Sequence, residues 1–310
     1  MTRAVVFAYH DVGVRCLRVL LAQGVTVPLV VTHADDPAEQ VWFDSVARHA
    51  GWHGLDVITP PDARDPALLA AVRAARPDFV FSFYYRHMLG PEVLAAAPRG
   101  AYNMHGSLLP KYRGRAPVNW AVLRGETATG ATLHAMTARA DAGGIVDAQS
   151  VPILPDDTAV EVFRKVTFAA EITLQRSLPG LIAGTTALHV QDESQASYFG
   201  RRTRANGAID WRQGAAAVHN LVRAVAPPYP GAFALANGTP LRVLRTIPAP
   251  GAASAAQPEL RWLDGAAQAL CHDGALHLLE FELDGRAMDA AAFHARFGSA
   301  PLKLENGRTS

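Results

Sequence analysis

Cysteine is scarce: Cys16 and Cys271 are the only two in 310 residues. That excludes a disulfide framework and a thiolate metal site, and a reducing cytoplasm is the expected setting. An excess of charge of one sign is also missing. Formal net charge is +1 and charged residues make up 18% of the chain, so no global field gathers nucleic acid or anionic lipid, and an anionic ligand must be caught locally. Apolar runs are no longer than a strand, and "MTRAVVFAYHDVG" reaches His10 and Asp11 before it can make a secretory core. Neither a membrane span nor a signal is therefore expected.

Several familiar signatures are absent too. The turn "AYHDVGVR" lacks G-x-G-x-x-G, so a nicotinamide dinucleotide would find no tight phosphate turn there. There is no Walker loop and no G-x-S-x-G. His49 and His53 stand at i, i+4 but enclose Gly51 and lack an H-E-x-x-H context, so no metal site is expected.

What the chain does have is apolar material, 49% of residues, enough for a large core and two domains. Strand-sized runs at 4–9, 25–32, 56–59, 78–83 and 100–105 alternate with amphipathic stretches, among them 14–24, 37–51, 65–77 and 91–98. Such a βαβ series builds a mainly parallel, Rossmann-like α/β sheet with ligands at the carboxyl ends of its strands. Further strands are expected at 130–137 and 145–154, then a long helix over 158–182. Beyond residue 205 the pattern changes. Asn237-Gly238 lies between two apolar runs, and "QALCHDGALHLLEFELDGR" repeats the idea with Asp-Gly turns, which are hairpin signals. The expected division is a catalytic domain at 1–204 and a small antiparallel β domain at 205–310, with "PAPGAASAAQP" (248–258) as a loose loop.

The stretch "NMHGSLLPKYRGRAP" (103–117) carries the chemistry. In an extended strand Asn103 and His105 share one face, so an amide donor sits beside an imidazole at a strand end, suited to oxyanion stabilisation and general-base work. Solvated or capping roles compete evenly on these two residues alone. Asp141 in "TARADAGGIV" follows the strand expected at 130–137; loops from neighbouring parallel strands reach one crevice, where its carboxylate would orient the imidazole and raise its pKa. Taken alone, a plain turn before Gly143-Gly144 explains that Asp better. Arg113 and Arg115 flank Gly114 beside Tyr112, an arrangement suited to gripping phosphate or carboxylate.

With "VVFAYHD", "THADDP", "FSFYYRH", "TLHAMTARADAGGI" and "FGRRT", these motifs resemble the folate-dependent formyltransferases along nearly the whole chain. They look most like the formyltransferase domain acting on UDP-4-amino-4-deoxy-L-arabinose. The resemblance implies 10-formyltetrahydrofolate as donor and no metal. It makes Asn103, His105 and Asp141 the catalytic trio, with Asn103 and His105 stabilising the tetrahedral oxyanion, His105 moving the amine proton and Asp141 orienting the ring. It places folate along His87, Met88 and Leu89, against Arg115 and the segment Thr137, Ala138, Arg139 and Ala140. "YYRHML" also reads as an aromatic turn packing the core. For the nucleotide-sugar acceptor the candidates are Tyr9, His10, Tyr112, Arg113, Arg201 and Arg202, and the C-terminal domain is expected to be similar to an OB-fold.

The acceptor choice rests on charge. A methionyl-tRNA formyltransferase would need a basic surface for RNA, whereas "VTHADDPAEQVW" is short and acidic. Nucleic acid and membrane are thus disfavoured as partners. The best-known relatives carry this domain fused to a dehydrogenase-decarboxylase, which the resemblance would here assign to a separate partner, or else the amino-sugar differs. Its implied pathway is lipid A modification and polymyxin resistance. A non-catalytic folate or nucleotide sensor, and a hydrolase releasing formate, are the readings from other classes.

Overall fold

The computed structural model describes residues 1–37, 39–249, 251 and 254–307. Positions 250, 252 and 253 of the loop expected at 248–258 therefore lie outside the described residues.

The N-terminal half begins β1 (Arg3–Ala8), α1 (His10–Ala22), β2 (Thr26–Val31), α2 (Val46–Trp52), β3 (Val57–Ile58), α3 (Pro66–Ala74), β4 (Phe79–Phe83), α4 (Pro91–Ala95) and β5 (Ala101–His105). It continues with β6 (Arg113–Gly114), α5 (Pro117–Leu123), β7 (Ala128–Ala135), β8 (Ile145–Pro152), α6 (Ala159–Ala183) and β9 (Tyr198–Phe199). One sheet runs β3-β2-β1-β4-β5-β7-β8, the Rossmann-like, mostly parallel architecture that the alternation implies. Its central β4, "FVFSF", is buried at every position, as a strand covered on both faces must be. Local chemistry sets the helix starts. Asp65 accepts from the Ala67 N–H and Pro66 occupies the first turn of α3.

Two expectations are corrected. The stretch 37–51 is helical only from Val46, because Trp42 and Phe43 turn in to pack on His10, at ring distances of 4.6 and 3.8 Å, and Ser45 caps the helix that follows. Strand β7 runs antiparallel to β5, pairing Asn103 with His134 and His105 with Thr132. The loop bearing Asp141 is therefore not delivered by a parallel strand.

After α7 (Ala215–Val225) come β10 (Ala232–Ala236), β11 (Thr239–Pro248), β12 (Glu259–Leu263), β13 (Ala266–Cys271), β14 (Gly274–Leu283), β15 (Arg286–Met288), α8 (Ala290–Phe297) and β16 (Leu302–Glu305). They pair in the order β11-β10-β16-β12-β13-β14-β15, and β11 also pairs with β14, which closes the antiparallel sheet into a barrel. Its core includes Trp211, Leu260, Phe281 and Phe293.

Two compact units result. One comprises Met1–Pro117, Ala128–Val151 and Phe163–Gly200; the other comprises Val118–Thr127, Pro152–Val162 and Arg201–Ser310. No helix of the described residues is long and apolar enough to cross a membrane.

Candidate active site

Asn103 and His105 project from one face of β5, and His134 joins them from the facing position on β7. Asp141 then closes over the three. Its Oδ1 lies 3.5 Å from His105 Nδ1, 3.4 Å from His134 Nε2 and 3.5 Å from Asn103 Nδ2. The β7–β8 loop turns back across the sheet to do this, and it approaches so closely that a Cβ on Gly143 would run into the Ala135 carbonyl. The Gly114 N–H donates to Asp141 Oδ2 at 2.8 Å. Gly114 itself has φ +98 and meets the Phe199 carbonyl on the side where a Cβ would stand, so only glycine presents its N–H in this way.

Proton positions follow from partners. His105 Nε2 lies 2.8 Å from the Tyr112 carbonyl, which can only accept, so Nε2 carries a hydrogen and Nδ1 is the open nitrogen. His134 Nδ1 donates to the Ala135 carbonyl at 2.9 Å, leaving its Nε2 to accept from the Asn103 amide at 3.2 Å. Burial is the largest influence on His105 and pushes its pKa below the usual value, against the opposing pull of Asp141 and the Tyr112 carbonyl. The expectation that Asp141 raises this pKa is thus overruled by desolvation. Burial would likewise raise the Asp141 carboxyl, but the positive charge that His105 and His134 carry when protonated, with the Gly114 N–H, holds it well below the carboxylate range. At neutral pH the site holds a fixed carboxylate against a neutral imidazole.

The residues expected to seat folate fall on two loops, at 87–89 and 137–140, and at Arg115 just after β6. Met88, Thr137, Ala138 and Arg139 are exposed, as are His87 and Arg115, while Leu89 and Ala140 are half-buried. Leu89 and Met136 pack against one apolar cluster, which brings the loops together, and Arg115 donates to the Arg86 carbonyl at 3.3 Å. Exposed backbone beside an apolar seat fits a flat heterocycle with an amide-like edge. Tyr85 beneath them is buried.

The acceptor candidates divide. Arg113 is fully buried and its guanidinium is occupied by Gln191, Glu193 and Tyr198. It is a strut with no face left for an anion, contrary to expectation. Tyr112 is buried and stacked on Phe199; its backbone carbonyl, not its ring, serves the site. Tyr9 is buried and donates to Asp35 at 2.7 Å. His10 is enclosed by Phe43, Trp42 and Phe163, and burial pushes its pKa down to about 3. Arg201 is exposed, whereas Arg202 lies over the Trp120 ring and donates to the Asn206 carbonyl. His134 and Gln191 were not singled out from the sequence. His134 follows from register, because a β5–β7 antiparallel pair sets it opposite Asn103; Gln191 carries no local signal.

An amide, a neutral imidazole and a carboxylate gathered on a Rossmann-like sheet are groups able to stabilise charge at a carbonyl and to move a proton. The chain belongs to the formyl transferase family: the family's model matches residues 19–178 and that of the formyl transferase C-terminal domain matches residues 202–298. Its fold is similar to that of an N-formyltransferase from Helicobacter canadensis solved with folinic acid and dTDP-3-aminofucose. The two share 20% identity over 90% of this chain and 99% of that one, with a TM-score of 0.71. WlaRD, a sugar 3N-formyl transferase solved with dTDP and 5-N-formyl-THF, shares 18% over 93% and 98%, with a TM-score of 0.70. HypX from Aquifex aeolicus in complex with tetrahydrofolic acid shares 17% over 95% of this chain but 47% of that one, with a TM-score of 0.63.

Proposed function

We propose that this chain transfers a formyl group from 10-formyltetrahydrofolate to the amine of a nucleotide-linked amino-sugar, with UDP-4-amino-4-deoxy-L-arabinose as the first acceptor to assay. The convergence of Asn103 Nδ2 and His105 Nδ1 on Asp141 Oδ1, each at 3.5 Å, carries this reading. Folate supplies an activated formyl carbon. The loops at His87–Leu89 and Thr137–Ala140, with Arg115, would seat it beside the trio.

Asn103 donates one amide hydrogen to His134 and the other, over a long 3.5 Å, to Asp141; the second turns to the negative charge that grows on the carbonyl oxygen under attack. His105 Nδ1, neutral at the start, takes the proton that the attacking amine must shed. The resulting imidazolium is stabilised by Asp141 on one side and by the Tyr112 carbonyl on the other. His105 then returns the proton to the leaving nitrogen. Arg201 and Arg202 are the remaining cationic candidates for the acceptor's phosphates, and Tyr9, its hydroxyl donating to Asp35, and His10, its Nδ1 accepting from the Asp11 N–H, shape the wall near β1.

Relatives of the same fold, one solved with dTDP-3-aminofucose and one, a sugar 3N-formyl transferase, with dTDP, support a nucleotide-sugar acceptor, and the acidic 32–42 segment supports it over tRNA. Incubating the protein and 10-formyltetrahydrofolate with a panel of UDP- and dTDP-linked amino-sugars, methionyl-tRNA and water alone tests the choice. Formylated sugar is the expected product. Formylation of methionyl-tRNA alone, or formate release that no amine accelerates, would replace this reading.

A further inference from the structure

We propose that Gln191 is a positioning residue for the reaction: it fixes the loop carrying Asp141, and thereby the carboxylate's place against His105, by tying that loop to the buried Arg113 guanidinium. The inference rests on the formyl-transfer reading of the trio.

Gln191 is 6% exposed. Its Oε1 accepts from Arg113 Nε at 3.1 Å and Nη2 at 2.7 Å, and its Nε2 donates to the Asp141 carbonyl at 2.8 Å and the Gly143 carbonyl at 2.7 Å. Both lone pairs and both N–H groups are therefore used, and because guanidinium only donates while carbonyls only accept, the amide has a single allowed orientation. Arg113 is itself immobilised, with Nη1 donating to Tyr198 at 2.7 Å and Nη2 to Glu193 at 2.7 Å.

The loop needs such support. Asp141 stands at φ +54, a left-handed conformation that Asp tolerates better than most residues with a Cβ but still adopts as a minority state, so its surroundings must hold it there. The short segment Tyr112–Gly114 imposes it along two routes. Gly114 N–H holds the carboxylate directly, and the Arg113 side chain holds the Asp141 backbone through Gln191. The same segment anchors His105 through the Tyr112 carbonyl. Acid and base partners are thus referenced to one piece of backbone, and Gln191 is its link to the Asp141 backbone, beside the Gly114 N–H on the carboxylate.

Two variants separate positioning from general support. Gln191→Met keeps the volume and loses every bond; Gln191→Glu still accepts from Arg113 but turns an acceptor toward two carbonyls. Each is made in the parent and in an Asp141→Asn background, with kcat and KM for formyl transfer, folate affinity, thermal melting and the NMR titration of His105 as readouts. His105 also faces His134 and feels Arg113, and both are left in place throughout. The expected result is a kcat reduced about 10- to 100-fold, as for a sub-ångström misplacement of a catalytic group, with folate affinity and acceptor KM nearly unchanged. The His105 titration should move toward that of Asp141→Asn. In the Asp141→Asn background Gln191→Met should add nothing, the mark of a residue acting through its partner. Parent-like kcat and His105 titration, or equal losses in both backgrounds, would overturn the proposal. If the parent formylates no amine, the function reading fails, while the His105 titration of the same variants still decides the role of Gln191. Should Gln191→Met not fold, Gln191→Asn, which withdraws the amide by one methylene, replaces it.

Discussion

The two units hold residues in left-handed backbone for opposite reasons. In the barrel these are Asn237, Asp264 and Asp284, each followed by a left-handed glycine, Gly238, Gly265 and Gly285. They join β10 to β11, β12 to β13 and β14 to β15, where Asn-Gly and Asp-Gly are the pairs a two-residue hairpin turn favours. In the sheet unit they are His10, Arg76, Tyr84, Tyr112, Ala116 and Asp141. Arg76 follows α3, away from the site; the other five gather at the ends of β1 and β4, in the stretch after β5, and at the candidate carboxylate, and all of them but Asp141 are residue types that adopt that conformation at a cost. The barrel spends unusual backbone on turning, the sheet on presenting side chains, so strain marks the site where composition alone does not.

Substitutions that break each unit in its own terms sharpen this contrast. The largest effect is expected from Phe281→Ala in the barrel core, where the side chain is 1% exposed. Its loss should cost about 3–5 kcal/mol, read by chemical denaturation, while protein still folded turns over at the parent kcat. Asn103→Ala should do the reverse, lowering kcat about 10²- to 10³-fold with an unchanged melting curve, because it removes a donor aimed at developing charge. A kcat within tenfold of the parent would remove Asn103 from the mechanism.

A smaller effect appears in the pH dependence of stability. His10 titrates near 3 in the folded chain and near 6.5 when unfolded, so protonation favours the unfolded state and stability falls as pH drops from about 6.5 toward 3. The slope is about 1.4 kcal/mol per pH unit for this one group. His10→Phe should flatten the decline between pH 6 and 4, whatever constant offset the substitution adds; an unchanged slope would show that His10 is not buried neutral. Smallest is Asn237→Ala, expected to cost about 1 kcal/mol through left-handed strain and to leave formyl transfer untouched.

Much of this was legible in the sequence. Strand and helix alternation fixed the sheet unit, the Asn237-Gly238 and Asp284-Gly285 turns marked the barrel, and two-residue spacing alone set Asn103 beside His105. The rest depended on contacts that no local pattern encodes. Arg113 lies in a glycine-flanked loop that reads the same whether its guanidinium faces a phosphate or is sealed against Glu193. Asp141 reaches the imidazole by a loop doubling back from an antiparallel strand, and the Gln191 bridge spans 50 and 78 positions of chain. Trp42 and Phe43 have a helical look in sequence, but the aromatic seat at His10 claims them.

The most direct measurement of the central claim is a crystal structure of the protein with a non-transferring analogue of 10-formyltetrahydrofolate that keeps the formyl group at position 10, and a nucleotide-linked amino-sugar. The account expects the formyl oxygen about 3 Å from Asn103 Nδ2, with the sugar amine on the His105 side of the formyl carbon. A formyl group bound away from Asn103, His105 and Asp141 would contradict it.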